Sequence, residues 1–321
     1  MGAVMGRVRG GLVALLSECY QMVDRRRRLT VMTLHRVDGG SSITSAHVAE
    51  YLRYLAAHYD IILPNQLDSA RSRRLAMVVV DDGHRDLCEA IFPVAKELQV
   101  PIAAAIPTDF FMRNAWLWFD KVHWIFDQLA PGATHEADGH RLVIGINDSE
   151  KAFKRFLKTK HPVERDAIIQ QMLDGFALNL PVTPTAKYQA MSVQDVHEML
   201  ATGLFEVVGH TRSHPILSLL RDDQLVEEIQ DAKQELEVCL GRPISSFCYP
   251  NGLRGDFNDR TRRIVKAAGF DLAFTSVDGT NLLSCMDRYE IKRVHAHPNA
   301  EVMKKSFSGL LDFQNALAGW F

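Results

Sequence analysis

A chain of 321 residues, 47% hydrophobic and 24% charged, has enough apolar content to build one large folded domain or two modest ones. Its formal net charge of −2 and pI near 6.7 leave no global basic field to hold a polyanion, which argues against nucleic acid as the main ligand. Its five cysteines (Cys19, Cys88, Cys239, Cys248 and Cys285) are widely spaced and form no CxxC pair, which argues for reduced thiols in a cytosolic setting.

Residues 1–28 read as a basic amphipathic segment. Leu12, Leu15, Leu16, Cys19 and Val23 share one helical face, Arg7 and Arg9 precede it, and Arg25 to Arg28 follow. Such a helix rests either on anionic lipid or on the domain itself. Ser17 and Glu18 break the apolar run and no small-residue cleavage site follows, so a cleaved secretory signal is not expected. No apolar run approaches the roughly 18 residues of a membrane span. The expected location is the cytoplasm, with peripheral contact at the inner membrane face as the alternative.

From residue 29 to about 300, short apolar runs alternate with helical patterns. The runs cover 29–34, 76–80, 102–106, 205–208, 244–249, 272–275 and 291–294. Val48, Tyr51, Leu52 and Leu55 mark one intervening helix, and Leu225, Ile229 and Leu236 another. Ser192 and Asp195 form a capping box for a helix that Gly203 ends. This alternation predicts an α/β domain with a mainly parallel sheet, open or closed into a barrel. Residues from about 110 to 190 break the rhythm and read as a mainly helical insertion. Residues 301–321 read as a C-terminal helix or tail.

Polar residues cluster where the apolar runs end. Asp81, Asp82, Gly83 and His84 follow one; His210 to His214 follow another; Asn251 and Gly252 follow a third. His35 closes the first run, and His295 and His297 close the last. In parallel α/β folds the C-terminal strand ends form the face that carries chemistry. His210 and His214 with one carboxylate would make a three-ligand metal site with positions left for water. A neighbouring carboxylate off the ion could then take a proton from that water. Pro215 disfavours a helical conformation at His214, so the pair is expected in a tight loop.

In this order, Val80-Asp81-Asp82-Gly83, His210-Thr211-Arg212-Ser213-His214 and Phe247-Cys248-Tyr249-Pro250-Asn251-Gly252 resemble the polysaccharide deacetylase family (NodB homology, carbohydrate esterase family 4). The likeness runs from about Thr30 to about Pro298 and includes Leu34-His35-Arg36-Val37. The resemblance implies a distorted (β/α) barrel with fewer than eight regular repeats. It implies a divalent metal on Asp82, His210 and His214, zinc first, with manganese, cobalt or nickel as alternatives. Asp81 would be the general base, and the Asn251 backbone N–H would help the metal hold the oxyanion. His295 would be the general acid, with His297 competing. Cys248 stands where many members carry an arginine that orients the base, which puts the tuning of Asp81 in question. Asp278 is a candidate for the family's fourth motif. Trp118 as a stacking platform, Tyr249 and Pro250 of the third segment, and Arg254 as a phosphate partner are the candidate substrate contacts.

The implied activity is metal-dependent removal of an N-acyl group, acetyl first, from an amino sugar in a polysaccharide or its nucleotide- or lipid-linked precursor. Alternatives are a deformylase on the same scaffold and a non-catalytic carbohydrate-binding relative. A non-haem iron oxygenase would need its acid within the histidine motif and an all-β pattern, neither of which is present.

Overall fold

Period-2 alternation in the apolar runs builds the sheet. In β1 (Arg28–Leu34), Leu29 and Val31 lie in one apolar cluster and Met32 and Leu34 in another. β3 (Arg74–Val80) repeats this, with Leu75, Met77 and Val79 on one side and Ala76, Val78 and Val80 on the other. Strands buried on both faces read as continuous apolar runs rather than as alternating ones. In the computed structural model, which describes residues 24–38, 42–144, 149–310, 312 and 314, these two clusters are the barrel interior and the layer between barrel and helices. Most of the expected N-terminal segment, and the end of the 301–321 stretch, lie outside the described residues.

The remaining strands are β2 (Asp60–Ile61), β4 (Ile102–Ile106), β5 (Thr134–Ala137), β6 (His140–Val143), β7 (Phe205–Gly209), β8 (Ser246–Cys248), β9 (Leu272–Asp278), β10 (Asn281–Leu282) and β11 (Ile291–His295). Neighbours run β1-β11-β9-β8-β7-β4-β3, and β3 pairs back onto β1 from Arg28↔Arg74 to Leu34↔Val80. This closes a parallel barrel of seven strands, as the resemblance led us to expect. β2 and β10 flank it.

Helices cover the outside: α1 (Ser45–His58) and α2 (Phe92–Glu97) before β4, then α7 (Val193–Ala201), α8 (Asp222–Val226), α9 (Ala232–Leu240), α10 (Asp259–Ala267) and α11 (Ala300–Phe307). The Ser192 hydroxyl accepts from the Asp195 N–H at 3.1 Å, and the Asp195 carboxylate accepts from the Ser192 N–H at 2.8 Å, which forms the capping box. Between β4 and β7 the chain leaves the barrel for α3 (Thr108–Arg113), α4 (Trp118–Gln128), the β5–β6 hairpin, α5 (Ser149–Leu157) and α6 (Pro162–Gly175). Trp118, Val122, Phe153, Leu157, Ile168 and Met172 give this excursion its own small core. Its hairpin turns at Asp138-Gly139, both at positive φ, the geometry that favours an Asp-Gly pair. Among the described residues no helix is long and apolar enough to cross a membrane.

Candidate active site and metal centre

The interior face of each strand carries polar residues once the strand leaves the apolar core. Leu75, Met77 and Val79 fill the interior, and Asp81 follows in phase at the barrel mouth. On β7 the same alternation takes Val208 to His210, and on β11 it takes Arg293 inward while Val294 joins the outer layer. Asp82, Thr211, His214 and Asn251 all adopt left-handed backbone, at φ 72°, 68°, 59° and 57°. Non-glycine residues rarely hold that conformation, and such strain concentrates at functional sites. The strained His214 is held by the Thr211 hydroxyl, which accepts its N–H at 3.1 Å, while Glu228 takes the N–H groups of Arg212 and Ser213 at 2.9 Å each. After Asn251, Gly252 lies so close to the Ser276 nitrogen that an added Cβ would meet it at 2.8 Å, so only glycine fits there.

Asp82, His210 and His214 are buried and converge. Asp82 Oδ1 lies 3.3 Å from His214 Nε2 and 3.6 Å from His210 Nε2. His210 Nδ1 is 2.7 Å from the Cys248 carbonyl, which can only accept, so Nδ1 carries the proton and Nε2 is a bare lone pair. That lone pair faces a carboxylate oxygen which is itself buried with no hydrogen-bond partner among the described residues. Two opposed acceptors call for a cation between them, and ligands about 2.0–2.1 Å from a tetrahedral zinc sit roughly 3.3 Å apart. Burial by itself would raise the Asp82 carboxyl, yet His210 and His214 hold it well below the usual carboxylate range. These residues fit a divalent metal. A second group, Asp81, His210 and Cys248, also has ligand atoms near one another. It fits less well, because burial pushes the Cys248 thiol up and both Asp81 oxygens are already bonded.

Those bonds come from Arg293, which is fully buried. Its two Nη atoms donate to the two Asp81 oxygens at 2.7 and 2.8 Å, and its Nε donates to the Thr275 carbonyl at 2.6 Å. The cation that Cys248 cannot supply is thus provided from β11. Burial would raise the Asp81 carboxyl, but Arg293, with His35 and His210 beside it, holds its pKa at about 2. Asp81 is therefore an ionised, oriented acceptor. Sequence reasoning missed Arg293, which the phase of β11 and the closure of the barrel bring to Asp81.

Two histidines flank this pair. His35 Nε2 lies 3.7 Å from Asp81 Oδ2 with half its side chain exposed. His295 is aligned with Thr33 across the β1–β11 pairing, and its Nε2–H donates to the Ser276 carbonyl at 3.0 Å, leaving Nδ1 available. Burial lowers the His295 pKa, while Asp278, at the end of β9, opposes that. His297 instead accepts the Asn299 N–H in an exposed turn.

Two cavities meet over the site, sharing His35, Asp82 and Phe119. One, of about 470 Å³, is lined by Asp81, His210, His214, Trp118 and Asn251; the other, of about 610 Å³, by His295, His84, Asp120 and Tyr188. No protein acceptor among the described residues takes the Asn251 N–H, and its side-chain nitrogen is buried without a partner. Trp118 is 2% exposed and forms part of the wall of the first cavity; its indole N–H donates to the His214 carbonyl at 3.2 Å, bracing the ligand loop. Tyr249 faces the outer layer, because Cys248 before it faces inward. Its ring stacks on Phe257 and its hydroxyl donates to the Tyr289 carbonyl. Pro250 is buried beside it, and Arg254 is 73% exposed near Glu290; neither lines either cavity.

A family model described as polysaccharide deacetylase matches residues 160–273. A comparison with curated protein sequences gives no match. Among solved structures, the deacetylase PplD of Streptococcus pyogenes is similar at 13% identity and a TM-score of 0.58, over 89% of this chain and 98% of that one. IcaB from Ammonifex degensii is similar at 19% identity and 0.57, over 88% and 97%. The polysaccharide deacetylase BC0361 of Bacillus cereus is similar at 16% and 0.55, over 88% and 69%. At these identities the likeness to solved structures is one of fold. The family match over residues 160–273, carried on a barrel of that architecture, makes the chain similar to polysaccharide deacetylases in that segment and in fold.

Proposed function

We propose that this protein is a metal-dependent hydrolase that removes an N-acetyl group from an amino sugar, in a polysaccharide or in its nucleotide- or lipid-linked precursor. The observation that carries the reading is the opposition of the His210 Nε2 lone pair and the unpartnered Asp82 oxygen, beside an Asp81 carboxylate fixed by Arg293. When bound at Asp82, His210 and His214, a divalent cation supplies Lewis acidity, polarising an acyl carbonyl and lowering the pKa of a water.

Asp81, ionised and held by two hydrogen bonds, takes the proton of the attacking water. The Asn251 N–H donates to the oxygen on which negative charge develops. His295, as the imidazolium that keeps Nε2–H on the Ser276 carbonyl, gives its Nδ1 proton to the departing amine; His35, closer to Asp81, is the competing donor. Acetyl is favoured as the acyl group because the similar Streptococcus pyogenes deacetylase is described in complex with acetate.

Acetate and formate release from a panel of N-acylated amino sugars tests the reading, with the chain metal-stripped and then resupplied with zinc, manganese, cobalt or nickel. Asp81→Asn should cut kcat by about 10²–10⁴-fold while metal content holds. Unchanged turnover in that variant removes Asp81 as the base, and formate as the product makes the enzyme a deformylase.

A further inference from the structure

The cavity of about 470 Å³ over the metal triad has one wall that the reaction does not use. Lys151, Lys154, Arg155 and Lys158 all line it. Their spacing of i, i+3, i+4 and i+7 places them on one face of α5 and the turn that continues it, since the Lys158 N–H bonds the Lys154 carbonyl at 3.0 Å. Phe153 and Leu157 on the other side are buried in the core of the excursion, which fixes the helix with its basic face toward the cavity.

The charges on this wall are not balanced within it. Lys154 is occupied by Glu150 at 2.8 Å and by His123 at 3.0 Å. Arg155 and Lys158 have no carboxylate within 4.0 Å among the described residues; burial pulls the ammonium pKa of half-buried Lys158 down, with Asp256 opposing from beyond ion-pair distance. Among the described residues, the acids lining the same cavity are Asp81, already paired with Arg293, and Asp82, turned to the two imidazoles. A water-filled cleft with a surplus of cations and low-dielectric walls from Trp118 and Phe119 concentrates anions. Arginine guanidinium and lysine ammonium groups also recognise phosphate oxygens.

We propose that the basic face of α5 binds a phosphoryl group carried by the substrate, so that the enzyme acts on a phosphate- or diphosphate-linked N-acyl amino sugar. The proposal rests on the deacetylase reading above and narrows it. The triad takes the acyl amide at the cavity floor, and Arg155 and Lys158 take the phosphoryl oxygens at the wall.

Binding is measured by calorimetry on the full chain carrying Asp81→Asn, which holds substrate without turning it over. The first two probes are N-acetylglucosamine and N-acetylglucosamine 1-phosphate. The phosphate ester should bind at least about tenfold tighter, as charge-assisted hydrogen bonds allow, and the advantage should shrink as salt rises. Adding Arg155→Gln and Lys158→Gln should erase the advantage. If it persists in that variant, the phosphate sits elsewhere, the metal included, and the proposal fails. Equal affinity for the two probes overturns it as well. UDP-N-acetylglucosamine and a short-chain polyprenyl diphosphate N-acetylglucosamine then separate a nucleotide from a lipid carrier by which one binds tighter. Acetate release from the active chain is scored separately. Equal kcat/KM for neutral and phosphorylated sugars overturns the phosphate proposal and leaves the deacetylase standing. Phosphate-dependent binding with no acetate from any sugar overturns the deacetylase reading and leaves the anion site in place.

Discussion

Arg293 and Asp81 form a doubly hydrogen-bonded ion pair with both side chains almost wholly out of water. Desolvating two charges is costly, so the pair's value for stability is modest, but removing one partner strands the other. Arg293→Met should therefore destabilise the protein by about 3–5 kcal/mol in urea titration. It should also cut kcat more than it raises KM, because the base loses its orientation while the metal ligands and cavity walls stay. A variant with normal kcat would show that Asp81 needs no cation to act. The aspartate pair, the two histidines and Asn251 were all legible in the sequence as polar residues ending apolar runs. Arg293 was not, because a single arginine two residues before a histidine carries no motif. Only strand phase and barrel closure point it at Asp81.

Along β7, the phase that turns Val208 and His210 inward also turns Glu206 toward the other end of the barrel interior. There its carboxylate accepts the Asn65 N–H at 3.1 Å. Burial pushes its pKa up to about 7 from an ordinary 4.5, with the Asn65 N–H and Arg242 opposing. Between those two values the folded chain keeps a proton that the unfolded chain has lost, so stability falls as pH rises from about 4.5 to about 7 and levels off above. Glu206→Gln should remove a difference of roughly 1–3 kcal/mol between pH 4.5 and pH 8, read from urea midpoints at the two values. An unchanged pH slope in the variant would mean that Glu206 is hydrated and ordinary. The hairpin of β5 and β6 is a second lesson at this scale. The hairpin lies in an insertion expected to be mainly helical, yet Asp138-Gly139 is a recognised hairpin signal. The strands flanking it are short and polar, so their periodicity was too weak to announce them. Helix α5 is the reverse case. Its basic spacing was present in the sequence, but nothing local said which way that face would point.

Across the whole molecule, the metal triad joins the loop after β3 to the loop after β7, so ion binding should tie the barrel together. Zinc at about a hundred times its dissociation constant adds roughly 2.7 kcal/mol to a fold that binds it only when native. The thermal midpoint should rise by several degrees on zinc addition, and His214→Ala should abolish the rise. An equal rise in that variant would put the ion somewhere else. The sequence by itself determined the α/β alternation, the apolar runs of the longer barrel strands and the placing of acids and histidines at strand ends. Those are consequences of local periodicity, which each segment carries alone. Tertiary structure alone decided that β3 closes onto β1, that Arg293 serves Asp81, and that His295 faces the site while His297 sits in a turn. It also decided that Tyr249 packs in the outer layer, and that α5 and the turn after it face four cations into the cavity over the triad. Each of these is a meeting of residues far apart in the chain, and only the closed sheet and the packed insertion set those distances.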